Sequence, residues 1–406
     1  MKKNITLNNL EKQRVKFIIN ILISIFIITS SKSIAQENLT QTEDLQISFI
    51  GDIIVHEAPY QHVIEKKYNS FKPLWNELIP ELQNTDLLFG NLEGPTAETI
   101  THKLQKVPSP GFVYDKKVFS GTDFLFNYHP QLLKDLKESG FDILGFANNH
   151  TFDRGADGID LTLDSIEKNN LISLGARKKS SNETFVKTIN IKGFNLAWIA
   201  CTEFTNGFKD RYNQTLLCRD QKKQIIDLIQ NLKKADQHDL IILTPHWGDE
   251  YQLTPNVFQK KLAKAFIESG VDIIVGSHPH VLQPYERIER PDQTLGLVFY
   301  SLGNFLAYQR DIERRSSVIL KLKFKKIQKN DNDTDSTLAS AQIVDLQKQN
   351  RLLNKKVKFL DFEATPIYRE RFYTTLAHNK KKVVQFIQMT FKDISAPKQK
   401  NQNPNF

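Results

Sequence analysis

The sequence predicts an α/β fold. Three observations carry that expectation. Short apolar runs rich in Ile, Val, Leu and Phe recur along the chain, and a segment with helical spacing usually follows each one. Strands alternating with helices are the mark of α/β packing. Most of the runs are continuously apolar, as strands buried on both faces are. Each run also closes on a polar cluster, which packing alone does not ask for.

The runs come in order. "LQISFI" precedes Gly51-Asp52, "DLLF" precedes Gly90-Asn91-Leu92-Glu93, and "FDILGFA" precedes Asn148. "LIIL" precedes Thr244-Pro245-His246, "VDIIV" precedes Gly276-Ser277-His278, and "LGLVFY" precedes Ser301. Helices are expected over Pro130–Ser139, Gly158–Asn169, Asp220–Ala235 and Val257–Ser269. In the last, Phe258, Leu262, Ala265 and Phe266 recur at helical spacing. Beyond residue 310 the texture changes. "SVILKLKFKK" and "LASAQIVDLQ" alternate like antiparallel strands, with the polar loop "KNDNDTDS" between them. "KKVVQFIQMTF" is a candidate final helix, and residues 393–406 form a disordered tail too polar to bury a core.

The N-terminus is a different material. Lys12, Arg14 and Lys16 precede an apolar run over Phe17–Thr29, then Ser33-Ile34-Ala35. A basic start, a short apolar run and small residues before a cut site read as a secretory signal over residues 1–35. The run is short for a membrane span, which needs about 20 residues. A retained anchor is the alternative. Residues 36–44 read as a linker, and 45–392 as one domain. Residues 1–35 carry six Lys/Arg and one Glu, a net +5, so the remaining chain holds +4 of the total +9. Nucleic acid thereby loses its electrostatic footprint as a partner. The chain has two cysteines, Cys201 and Cys218, too few for a cysteine-only metal site. They form one disulfide, as export permits, or Cys201 is a buried thiol in "FNLAWIAC".

The polar clusters carry the chemistry. In an open α/β sheet the ligand site lies at the carboxyl ends of the strands. Six strands deliver Asp52; Asn91 and Glu93; Asn148, Asn149 and His150; His246; His278 and His280; and Ser301 with Asn304. Brought together unpaired, such groups are costly to desolvate. Divalent cations remove that cost, because carboxylate, amide oxygen and imidazole all ligate them. With no sulfur in the set, Mn²⁺, Zn²⁺ or Fe is favoured over softer metals. Asp153 follows His150 by three residues in "GFANNHTFDRG". A carboxylate there holds one imidazole nitrogen and presents the other as an acid. Gly155 lets the chain turn sharply into the next helix.

Simpler roles compete with these. His56 is also an ordinary loop histidine, and Asn148 a turn cap. Asn91 and Asn304 also suit loop bracing, Trp247 the core, and Glu250 a pocket wall. His278 and His280 straddle Pro279, so in an extended chain both point the same way.

"GD" after a strand, then "GNLEG", "ANNHTFDRG", "HWGDEY", "GSHPHV" and "SLGNF" resemble the capsule-synthesis CapA family, from Asp44 to Phe305. That family's fold is similar to the calcineurin-like metallophosphoesterases. The resemblance implies a β-sandwich flanked by helices, with a smaller antiparallel β portion at the C-terminus. It implies metal ligands at Asp52, Glu93 as the bridge, Asn149, His246, His278 and His280, and one or two divalent ions, Mn or Zn. It implies His150, steadied by Asp153, as the catalytic acid. The superfamily's second ligand after the first Asp falls here on Ile54, so His56 is the candidate replacement. The implied chemistry is metal-assisted hydrolysis or transfer at a phosphoester, or polarisation of an amide carbonyl on polyglutamate. The implied setting is exported, periplasmic or at the cell envelope, in capsule or poly-γ-glutamate synthesis. Implied partners are an envelope polymer or phosphoester substrate and a membrane-bound synthase complex. A non-catalytic subunit of such a complex is the rival.

Overall fold

Two β-sheets pack face to face, and helices cover both outer faces. The computed structural model describes residues 44–327, 353–354 and 356–393. The signal, nearly all of the linker, "KNDNDTDS", "LASAQIVDLQ" and the tail beyond Asp393 lie outside the described residues.

In chain order the strands are β1 (Leu45–Ile53), β2 (Leu87–Leu92), β3 (Ile143–Gly145), β4 (Ile172–Leu174), β5 (Val186–Ile191), β6 (Phe194–Thr202) and β7 (Leu240–His246). They continue with β8 (Ile273–Val275), β9 (Tyr285–Glu289), β10 (Leu295–Phe299), β11 (Asn304–Leu306), β12 (Ser316–Lys326), β13 (Val357–Glu370) and β14 (Tyr373–Leu376). The first sheet has the order β14-β13-β12-β1-β2-β3-β4, with β11 beside β1; the second runs β5-β6-β7-β8-β10-β9. Strands β1 to β4 are mutually parallel, as are β6, β7, β8 and β10. The antiparallel C-terminal strands extend the first sheet through the β12–β1 pairing.

All four expected helices form: α1 (Gln131–Glu138), α2 (Gly155–Lys168), α3 (Lys222–Ala235) and α4 (Val257–Ser269). The candidate final helix is α5 (Lys381–Thr390). Helix α2 begins three residues before the expected start. Gly155, at φ +62°, opens it from a conformation other residues rarely adopt. Helix α4 is fixed at its start by a reciprocal cap between Asn256 and Gln259.

Between the sheets lies an apolar layer in which Phe49, Phe89 and Trp198 meet at centroid distances of 5.5–5.9 Å. Leu133, Ile159 and Ile166 cover the outer face of the first sheet. Ile225, Leu262 and Phe266 cover that of the second. The face β1 shows to each layer slips along its length. Ile47 and Phe49 point between the sheets, yet Ile50 and Ile53 both face the helices. The slip is a register break against β2 between Phe49 and Asp52. Bulges of this kind re-aim a side chain beside an active site. Gly51 is obligatory there, since a Cβ on it would overlap the Gly303 carbonyl oxygen at 1.8 Å.

Cys201 and Cys218 are joined in a disulfide across 17 residues. This resolves the pair in favour of the bond over a free Cys201. Among the described residues, no helix is long and apolar enough to cross a membrane.

Candidate metal centre

The strand ends converge. Asp52 sits at the β1 break, Glu93 one residue beyond β2, and Asn149 and His150 in the turn after β3. His246 closes β7, His278 and His280 follow β8, and Asn304 opens β11. All of these side chains are buried.

Two donor groups share Glu93. One is Glu93, His246 and His278; the other is Asp52, Glu93 and His280; within each, the ligand atoms lie inside 4.8 Å of one another. Asn149 adds to the first, with its Oδ1 at 2.9 Å from His246 Nε2. His278 Nδ1 approaches the same nitrogen at 3.1 Å. Glu93 Oε1 stands 3.6 Å from both His246 Nε2 and His280 Nε2. In the second group Asp52 Oδ2 is 3.2 Å from His280 Nδ1. Its Oδ1 accepts a hydrogen bond from Asn91 Nδ2 at 2.8 Å.

Among the described residues, neither Glu93 carboxylate oxygen has a hydrogen-bond partner, and both are buried. A carboxylate left so is costly, and a cation held between it and the imidazoles removes the cost. Burial, then the charge of Asp52, pushes Glu93 well above the usual carboxylate range. Burial pushes His246 well down, and His278 down to about 3. Both imidazoles are therefore neutral, which is the metal-binding form. His280 differs. Burial alone would lower it, but Glu93 and Asp52 together raise it to about 9. Oxygen and nitrogen donors without sulfur fit a divalent cation.

His150 belongs to neither donor group. Its Nδ1 meets Asp153 Oδ2 at 2.8 Å, and that oxygen also accepts the Phe126 N–H at 2.6 Å. The Phe126 ring stands edge-on to the imidazole at 4.7 Å. Asn148 caps the turn: its Oδ1 accepts the His150 N–H at 3.1 Å and its Nδ2 donates to the Leu92 carbonyl at 2.8 Å. Asn304 braces His280, meeting Nδ1 with its Oδ1 at 3.0 Å and donating to the His280 carbonyl at 3.0 Å. Trp247 is core, donating to the Tyr300 carbonyl.

Two expectations are amended. His56 is not brought into the donor groups. Its Nδ1 accepts the Tyr308 N–H at 3.0 Å, and its ring packs on Phe126 at 5.4 Å, so it forms a wall. Burial pushes it down to about 3. Ile54, at the position of the missing ligand, is core. His278 and His280 do converge, but not from an extended chain. Both have positive φ, +97° and +57°. Such backbone is costly outside glycine and recurs at functional sites.

Sequence reasoning gave Glu250 only a place on the wall, yet it forms a third group with His278 and His280. Its signal was its spacing, four residues after His246. It missed Asn206 and Phe204 altogether. Asn149 Nδ2 donates to Asn206 Oδ1 at 3.3 Å, and the Phe204 ring lies 5.1 Å from His278. Both line a cleft of about 490 Å³ over the centre, with Glu203, Glu250 and Asn149.

Residues 46–309 match the family described as bacterial capsule synthesis protein PGA_cap. The chain belongs to that family. It is similar to the capsule biosynthesis protein CapA of Bacillus anthracis, at 30% identity over 74% of this chain and 69% of that one. It is similar also to the PGA biosynthesis protein CapA of Bacillus subtilis, at 31% over 71% and 70%. Among solved structures, a NAD nucleotidase of Haemophilus influenzae overlaps 86% of this chain and 57% of its own, at 11% identity and a TM-score of 0.44. Overlap at that level speaks to neither substrate nor chemistry. Every side chain described above between Asp52 and Asn304 falls inside the segment matched to the PGA_cap family.

Proposed function

We propose that this chain is an exported, metal-dependent phosphoesterase-like protein of the capsule-synthesis family, acting on an envelope polymer or a phosphoester within it. The observation that carries the proposal is the pair of donor groups sharing the fully buried Glu93, whose carboxylate oxygens accept no hydrogen bond among the described residues. Asn149, His246, His278 and Glu93 would hold one divalent ion, Mn²⁺ or Zn²⁺, and Asp52, Glu93 and His280 a second. Ions held there supply Lewis-acid polarisation of a phosphoryl or carbonyl oxygen. The chain's own residues do the rest. Asp153 accepts the His150 Nδ1–H and would offset the charge of the imidazolium form, whose Nε2–H would protonate a leaving oxygen and leave the neutral imidazole. The first-sheet turn carrying Asn148 fixes the height of that imidazole. The Phe204 ring forms part of the cleft wall, 5.1 Å from the His278 ring.

Export is supported by the signal-like N-terminus and by the disulfide, a bond of oxidising compartments. Partnership with a membrane-bound synthase belongs to the same proposal as what the family resemblance implies; the relatives' names speak of capsule and PGA biosynthesis alone.

The test is metal analysis of the purified chain, paired with phosphodiester hydrolysis by wild type and His150→Ala. One to two ions per chain are expected in both. The variant should turn over about 10² to 10⁴-fold more slowly, with a smaller loss on esters of acidic leaving groups. A metal-free, active wild type rejects the centre. A variant that loses its metal makes His150 a ligand and rejects its role as acid. A metal-loaded wild type without hydrolysis favours the non-catalytic subunit.

A further inference from the structure

The loop after β6 has no place in the family motifs, yet it touches the centre twice. It leaves β6 at Thr202 and returns at Cys218, and the Cys201–Cys218 disulfide closes its base. Its shape is set from within. Thr205 Oγ1 donates to the Phe208 carbonyl at 2.7 Å. The Asp210 carboxylate accepts the N–H groups of Tyr212, Gln214 and Thr215. Asn206 and Gly207 turn the tip with φ of +49° and +82°. Asn tolerates that backbone better than most residues. A loop held this way presents the Asn206 side chain in one place.

That place is the Asn149 amide. An amide has two ends of nearly equal size and opposite polarity. With its oxygen toward His246 Nε2 at 2.9 Å, Asn149 can ligate a cation beside His246 and His278. Flipped, it would aim N–H groups at the same point and repel the cation. Packing does not distinguish the two orientations; a hydrogen-bond acceptor behind Nδ2 does. Among the described residues the acceptor is Asn206 Oδ1, at 3.3 Å.

We propose that Asn206 is a positioning residue for the metal centre: it accepts the Asn149 amide N–H and so fixes the amide with its oxygen toward His246 and His278. The proposal rests on the metal reading above and assigns to the β6–α3 loop a part in only one of the two ion positions. Groups that orient metal ligands from behind typically change metal affinity 10 to 100-fold when removed.

The experiment is calorimetric titration of Mn²⁺ into the metal-stripped full chain, for wild type, Asn206→Gly and Asn206→Asp, with a melting curve for each. Glycine suits the positive φ, so the first variant removes the acceptor without straining the backbone. Wild type should bind in two steps. Asn206→Gly should weaken one step by about 10 to 100-fold and leave the other, and the melting temperature, unchanged. Asn206→Asp keeps an acceptor and should restore the weakened step. Two wild-type-like steps in Asn206→Gly overturn the proposal, while the metal reading stands. Equal weakening of both steps with a lowered melting temperature also overturns it, since the loop would then be merely structural. Absence of Mn²⁺ binding by wild type removes the metal reading and the proposal together.

Discussion

The two sheets bring different chemistry to one cleft. The first sheet supplies the candidate oxygen donors, Asp52, Glu93 and Asn149, and with them His150 and its partner Asp153. The second supplies the candidate imidazole donors, His246, His278 and His280. Neither sheet holds a centre alone. Buried carboxylates on one side and buried imidazoles on the other are each costly until they face one another. Between the sheets lies the aromatic layer of Phe49, Phe89 and Trp198. Both donor groups therefore draw on both sheets, and the residue the two groups share is Glu93.

Breaking Glu93 should have the largest effect. Glu93→Gln removes the carboxylate common to the Asp52 and His246 groups. Both ions should be lost, and turnover should fall to background. Asp52→Asn should empty one position only, as should His246→Ala. Elemental analysis of the three variants reads this directly. Two ions retained by Glu93→Gln would show that the halves do not share a bridge.

A smaller effect comes from widening the seam. Trp198 is fully buried and stacks on Phe89 at 5.5 Å. Truncating a large buried side chain costs about 3 to 5 kcal/mol, so Trp198→Ala should lower stability by that order. It should also weaken metal binding, because imidazole and carboxylate layers drift apart. Denaturant melts with and without Mn²⁺ separate the two. A stability loss with unchanged metal affinity would place the control of spacing elsewhere.

Next comes the staple of the second sheet. Cys201 and Cys218 close a loop across 17 residues, and crosslinks of that size are worth about 3 kcal/mol. The Cys201→Ser/Cys218→Ser double variant should lose about that much in a denaturant melt. It should lose Mn²⁺ affinity at the Asn149–His246 position more than at the Asp52–His280 position. Equal losses would separate the staple from the loop's part in the centre.

The first sheet was legible at β1, β2, β3 and β12, whereas its β4, β11, β13 and β14 were not anticipated. Asp52, Glu93 and Asn149 follow apolar runs that read as strands, and strand ends place ligands. The five expected helices were legible too, to within three residues, because their apolar spacing matches their burial, whereas the helix Glu57–Glu65 was not anticipated. The second sheet was legible in β6, β7, β8 and β10 but hid the path of its histidines. His278 and His280 reach the cleft through positive-φ backbone, which no alternation pattern announces. Asn206 lies in a polar loop whose contact with Asn149 spans 57 residues of sequence. A long-range hydrogen bond of that kind leaves no local trace. His56 was misleading for the opposite reason. Its spacing after Asp52 suggested a ligand, but the Tyr308 N–H already occupies its Nδ1.

The smallest expected effect is a pH slope that sharpens the same contrast. In metal-stripped protein His280 is raised from 6.5 to about 9 against burial, by Glu93 and Asp52. A group whose folded value lies above its unfolded value stabilises fully below the unfolded value, and that stability is lost as pH rises through the folded one. Glu93 is also raised, so it has the same sign. Stripped protein should therefore melt at progressively lower temperature from about pH 6.5 to about pH 9. His246 and His278 are lowered. Their unfolded forms take up protons below about 6.5 while the folded forms do not, so they erode stability on the acid side, opposing Glu93 there. With Mn²⁺ bound, the cation takes the place of the His280 proton beside the carboxylates, and the slope between pH 6.5 and 9 should flatten. Scanning calorimetry of stripped and loaded protein, and of stripped His280→Gln, reads the slope. A slope that persists in His280→Gln would mean that other groups titrate across the seam, and that the acid half does not hold a proton on the imidazole half.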